Sequence, residues 1–142
     1  MLRIFPLLLV PVVMYVLIAL GYGLAGHDVM EHFLAQSLHT FSMFSGDKWD
    51  ISLGDLIILI ALLMLFFEVI KATRTTRREL LNHGLSALTF VIALILFITT
   101  KGFSTSVFFF VTAMTAVDTI AGYTIGIVAA EHDLGMGRAG TD

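Results

Sequence analysis

Two carboxylates stand inside runs that are otherwise apolar. Glu68 follows Leu56 to Phe67, a stretch without one polar side chain, and Asp118 lies about 12 residues into the run that starts near Ser106. Ionisable groups in such segments are costly to bury and are functional, paired or both. Together they could pass protons between two stations, or they could tie helices to one another. For Glu68 the competing partner is Lys71, three residues on, or a neighbouring arginine that reaches up along the helix. Asp118 has no cation within one turn, so as bundle glue its hydrogen-bond partners would be Thr115, Thr119, Tyr123 or His83. Desolvation there opposes whatever hydrogen bond or cation comes within reach, and the sequence leaves the protonation state open.

Other residues point less clearly to chemistry. His27, Asp28, Glu31 and His32 have helix-turn spacings that suit a metal, but HDVMEH lacks the H-E-x-x-H order of metalloproteases. A solvated polar face explains them better. His83 could ligate a haem only with a second histidine, and the other four lie in loops or the tail. With no cysteine at all, disulfides, iron–sulfur clusters and thiolate zinc sites are excluded. No cofactor, metal or catalytic constellation is expected, and the chain is read as no enzyme.

The elements that must position these residues are long and apolar. Of 142 residues 58% are hydrophobic and 13% charged, and the mean hydropathy is +0.95, far from the roughly 25% charged composition of ordinary domains. The fold class expected is an all-α integral membrane four-helix bundle in one membrane domain, residues 1–142. Spans are expected over about 4–25, 53–72, 77–100 and 105–130, each long enough for a roughly 30 Å hydrocarbon core. Pro11 should bend the first span. The alternative for residues 1–25 is a removed signal peptide, given Arg3 before the apolar run and small residues at Gly23 and Ala25.

Between the first two spans, Met30, Phe33, Leu34, Leu38 and Phe41 recur at helical spacing, which predicts a short amphipathic helix over 28–44 on the outer surface, started by an Asp28/Glu31 capping box. Trp49 would sit at headgroup depth. Ser52 with Asp55 and Thr76 with Glu79 read as capping boxes of the second and third spans. In the fourth span Thr112, Thr115, Thr119, Gly122 and Gly126 form a seam of small residues, with Gly122 and Gly126 at GxxxG spacing. This seam should serve contacts within the bundle, or else with another chain. The tail, 131–142, is polar and glycine-bearing and is expected to be disordered.

Charge sets the orientation. Lys71, Arg74, Arg77 and Arg78, half of the eight basic residues, fall within the connector EVIKATRTTRRE. With Arg3 and Arg138 they make six on one side against Lys48 and Lys101 on the other. The positive-inside rule then puts both termini and the connector in the cytoplasm. From their spacing along spans two and four, Glu68 and Asp118 would lie about 18–23 Å from the outer ends. No basic patch with interleaved aromatics is present, so nucleic acid is not an expected partner.

The stretch from EVIKATRTTRRE through NHGLSALTFVIALILF, with VDTIAGYTIGI in the fourth span, resembles a group of small four-span bacterial inner-membrane proteins without an assigned activity. The resemblance implies this topology, multi-pass in a bacterial inner membrane, and brings no cofactor or partner with it. Small multidrug transporters differ, since their membrane glutamate lies in the first span, where this chain has no acid. The function expected is that of an accessory subunit or scaffold in a membrane complex. Its partners are the lipid bilayer and other membrane proteins or a second copy. The alternative is a small proton- or ion-coupled transport element that uses Asp118 and Glu68.

Overall fold

A computed structural model describes the backbone of residues 5–72 and 77–138 and the side chains of residues 5–72 and 82–128. The order is α1 (Leu9–Gly21), α2 (His27–Leu34), β1 (Ser37–Ser42), β2 (Lys48–Ser52), α3 (Leu53–Ala72), α4 (Arg77–Thr99) and α5 (Ser106–Arg138). Three helical segments are long and apolar enough to cross a membrane: Leu53–Ala72, Asn82–Thr99 and Ser106–Val128. Large apolar side chains such as Leu59, Leu62, Phe66, Ile92, Ile95, Ile98, Phe110 and Ile120 stay exposed along them. An apolar surface of that extent belongs in contact with lipid, so the chain is consistent with a multi-pass membrane protein.

The inward stripes are assembled from small and weakly polar residues at helical spacing. On α3 the buried positions are Gly54, Ile57, Ala61, Glu68 and Ala72. On α4 they include Asn82, Ser86, Thr89 and Ala93, and on α5 Phe108, Thr112, Thr115 and Asp118. Steps of three and four put each set on one face, and the small side chains let backbones approach closely where lipid supplies no hydrophobic drive. The threonine hydroxyls turn back onto their own helices: Thr112 Oγ1 donates to the Phe108 carbonyl at 2.9 Å and Thr115 Oγ1 to that of Thr112 at 2.6 Å. Their polarity is thereby satisfied within α5.

The first helix is shorter than its apolar run. Against the 4–25 expected, α1 has 13 residues, about 20 Å of rise. Pro11 falls in its first turn, where a missing N–H costs nothing, so it makes no mid-helix bend. The other end closes where Gly23 and Leu24 take positive φ values of 64° and 53° and the Leu24 N–H reaches back to the Ala19 carbonyl at 2.9 Å, a left-handed helix stop.

Even so, the segment that carries α1 runs along much of the bundle. Near its start, the Leu7 N–H donates to Glu68 late in α3. Further on, the Tyr15 hydroxyl donates to the Gly102 carbonyl at 2.9 Å and lies 2.7 Å from Thr105 Oγ1 in the α4–α5 turn. Thr105 Oγ1 in turn accepts from the Phe108 N–H and caps α5. Tyr15, Phe103 and Phe108 pack ring on ring with centroids 4.6–5.3 Å apart. Tyr15→Phe is expected to keep the packing and cost about 1 kcal/mol, since it strands a buried carbonyl; reversible unfolding in detergent reads that loss.

The segment expected as one helix over 28–44 is two elements. α2 stops at Leu34, and its N-cap is Gly26 without a side-chain cap, so Asp28 and Glu31 form no capping box. Glu31 instead pairs with His27, 2.9 Å away and exposed. The chain then makes an antiparallel hairpin in which Phe41 faces Trp49 and His39 faces Ile51, with an irregular step between Ser37 and His39. Gly46 closes its turn at φ 91°. At the foot of the hairpin Ser52 and Asp55 do exchange capping bonds: the Asp55 N–H donates to Ser52 Oγ at 3.1 Å and the Ser52 N–H to Asp55 Oδ2 at 2.9 Å.

The tail, expected to be disordered, continues α5 as helix through Arg138. Thr76 and Arg74 lie outside the described residues, as do the side chains of Glu79, Arg77 and Arg78.

Candidate functional site

The buried polar groups collect where α3, α4 and α5 meet, at the end that receives the start of α1. Glu68 is placed by the α3 stripe and is 1% exposed. Lys71, one turn later, sets its Nζ 2.8 Å and 2.9 Å from the two Glu68 carboxylate oxygens. Asn82, the first described side chain of α4, donates from Nδ2 to Glu68 Oε1 at 2.5 Å and accepts from Lys71 Nζ at 3.2 Å on Oδ1. The ion pair that the spacing of Glu68 and Lys71 suggested is therefore present, and Asn82 closes it into a triangle.

This triangle also grips the segment that leads into α1. The Leu7 N–H donates to Glu68 Oε2 at 3.1 Å, and Lys71 Nζ donates to the Phe5 carbonyl at 3.0 Å. Leu7 precedes the helix, where backbone N–H groups lack intrahelical partners and the helix dipole favours an anion. One carboxylate thus satisfies a lysine, an amide and a helix start. Among the described residues Lys71, Asn82 and the Leu7 N–H all engage Glu68, and the geometry fits a structural clamp between α3, α4 and the segment that leads into α1.

Asp118 is held differently. It is 3% exposed, and the partners expected for it are turned elsewhere. Thr115 and Thr119 donate to the backbone of α5. The His83 ring stacks beside Tyr123 with centroids 6.4 Å apart and lies over Gly122, where an added Cβ would come within 2.8 Å of His83 Cε1 and closer still to Nδ1. What faces Asp118 from α4 is Ser86, while Glu68 and Lys71 act on it across the cluster. Ser86 is 2% exposed, and its Oγ makes no hydrogen bond among the described residues.

Glu68 and Lys71 are therefore both within electrostatic reach of Asp118. Gly122 is used for the α4–α5 approach, whereas a Cβ at Gly126 would meet nothing within 4 Å. Asn82 and Ser86 were not singled out from the sequence. Their signal was available: residues 82, 86, 89 and 93 form a stripe of small and polar types inside an apolar helix, the same pattern that marks α5.

No family model, no curated protein and no solved structure matches the chain. The reading of function rests on the geometry alone.

Proposed function

We propose that the protein is a non-enzymatic subunit of a membrane assembly, an accessory or scaffold protein that holds a second membrane protein or another copy of itself. The observation that carries this reading is the hairpin. Its two faces differ in kind: Thr40, Ser42, Lys48 and Asp50 make one polar, while His39, Phe41, Trp49 and Ile51 make the other aromatic and apolar. Phe41 and Trp49 remain about half exposed, and Phe44 at the tip is fully exposed. An alternating strand pair of this sort buries its apolar face against something, and the chain itself leaves it bare. Aromatic side chains grouped in this way are the usual anchors of an interface. Gly126, open on α5, offers a second place for close approach.

A photo-crosslinking residue at position 44 is expected to give one discrete adduct in cells. The same probe in a Phe41→Ser, Trp49→Ser background is expected to give none, with thermal stability in detergent unchanged within about 0.5 kcal/mol, as for surface changes. A chain that forms no adduct and purifies from mild detergent as a bare monomer would overturn the reading. The competing reading, a proton- or ion-coupled transport element, gains from the burial of Asp118 but loses Glu68 as a station, because that carboxylate is engaged by Lys71, Asn82 and Leu7.

The orientation proposed is four crossings of a bacterial inner membrane with both termini in the cytoplasm. The distribution of basic residues supports it. The reach of residues 5–25 supports a crossing by α1, since the Leu7 N–H is bonded beside Asn82 at one end of the bundle while a Cβ on Gly102 in the α4–α5 turn would touch the Ala25 carbonyl at the other. Single cysteines introduced at Ser45 and at Gly140 are expected to label from opposite sides of intact cells, and labelling of both from outside would refute the arrangement.

A further inference from the structure

Among the described residues, the charges of the buried cluster do not sum to zero: Glu68 and Lys71 cancel, and Asp118 leaves one negative charge between α3, α4 and α5. An unbalanced charge there is not sustained; it is neutralised by a proton or a bound cation. Beside it stands Ser86, fully buried, with a hydroxyl that has neither donated nor accepted among the described residues. Buried hydroxyls without partners are rare, and each asks for the group that completes it.

We propose that Asp118 and Ser86 form an exchangeable proton site between α4 and α5. The hydroxyl suits both states of such a site. It accepts a hydrogen bond from Asp118 when the carboxyl carries the proton, and it donates one to the carboxylate when the proton has left. A metal ion fits less well, since a hard cation takes a shell of several oxygens, whereas among the described residues the Glu68 carboxylate is engaged and the threonine hydroxyls are committed to backbone carbonyls, which leaves the Asp118 carboxylate and the Ser86 hydroxyl. Among the described residues the groups that act on Asp118 are Ser86 from α4 and Glu68 and Lys71 from α3; Asn82 is tied to Glu68 and Lys71, His83 lies against Gly122 and Tyr123, Thr115 and Thr119 donate to α5 carbonyls, and the segment before α1 meets the cluster through the backbone of Phe5 and Leu7. Lys71 is the more open member of the ion pair, its side chain 17% exposed against 1% for Glu68. The proton thus enters and leaves at the Lys71 end. Loading makes the cluster neutral, and unloading sets an uncompensated charge against the α4–α5 contact. The site is independent of the hairpin that carries the scaffold reading, which follows α2 and precedes α3 in the chain.

The test is infrared difference spectroscopy of the full chain in phosphatidylcholine vesicles, stepped from acid to alkaline pH. The expected result is one aspartic acid carbonyl band that titrates apart from the exposed Asp28, Asp47, Asp50 and Asp55, shifts in deuterium oxide and disappears in Asp118→Asn. Ser86→Ala should keep the band but move its frequency, and should change the proton concentration at the midpoint about tenfold, whereas Thr124→Ala on the exposed side of α5 should change neither. If Asp118→Asn does not fold, carbonyl-labelled aspartate in the unaltered chain must shift that same band. A band that survives Asp118→Asn, or is insensitive to aspartate labelling, overturns the proposal. So does a midpoint that moves when sodium chloride replaces choline chloride at constant ionic strength, because the occupant would then be a metal ion.

Discussion

Replacing Glu68 by leucine is expected to cost the fold about 3–5 kcal/mol, the range for breaking a buried ion pair by removing one partner. The loss is large because one carboxylate serves three elements. Without it the Leu7 N–H and the Asn82 amide lose their acceptor, and Lys71 is left with the Phe5 and Asn82 oxygens alone. The first consequence should be release of α1, read as loss of a disulfide cross-link engineered between the start of α1 and the end of α3. Glu68→Gln keeps an oxygen for Leu7 and should cost less. Removing both charges, as Glu68→Leu with Lys71→Leu, should recover part of the loss, since an apolar pair needs no compensation in lipid. If Glu68→Leu unfolds no more easily than the natural chain in a denaturant titration, the clamp does not hold the fold.

Gly122→Ala is expected to destabilise by about 1–3 kcal/mol, the range for forcing extra volume into a packed contact. The added methyl would overlap the His83 ring, with Cε1 at 2.8 Å and Cγ at 3.1 Å. Four residues on, Gly126→Ala meets open space and should be neutral or gain up to about 1 kcal/mol from helix propensity. The pair is a controlled comparison: same substitution, same helix, opposite sign. His83→Ala should restore Gly122→Ala in part, because it removes the obstacle. Equal effects at the two glycines would mean that the α4–α5 crossing does not depend on the close approach at Gly122. A transverse contact this tight also gives the histidine of α4 a packing role: its ring fills the notch that the glycine leaves.

Long apolar runs translate directly into α3, α4 and α5, with side-chain caps at the starts of α3 and α5, so these three segments were legible from hydropathy. Their inward faces were partly legible. Glu68 and Lys71 declared themselves by spacing, but Asn82 and Ser86 did not, because a single amide or hydroxyl in an apolar helix looks like an incidental substitution until another helix is set against it. The outer segment was misread for a physical reason. Met30, Phe33 and Leu34 do follow helical spacing, and Leu38 and Phe41 continue the same period by coincidence, while alternation through Phe41 and Trp49 and the turn residues Ser45, Gly46 and Asp47 belong to a hairpin. Two short elements of different period cannot be separated by one periodicity. The length of α1 was overestimated because an apolar run measures solubility in lipid, whereas the helix ends where Gly23 and Leu24 turn left-handed.

The bonds that fasten α1 also set a timetable. Leu7, just before it, is held by Glu68, 61 residues further along the chain, and Tyr15 by Gly102 and Thr105, 87 and 90 residues further on. At about 5–20 residues synthesised per second, those partners follow about 3–18 s behind. In that interval the nascent α1 carries an amide and a phenol that no part of the chain has yet met, and only water, lipid headgroups or the insertion apparatus can satisfy them. A helix that leaves the ribosome before the residues that fasten it is therefore locked in place only after they have followed. Pauses in translation beyond residue 72 should lengthen the time that the growing chain is open to membrane proteases.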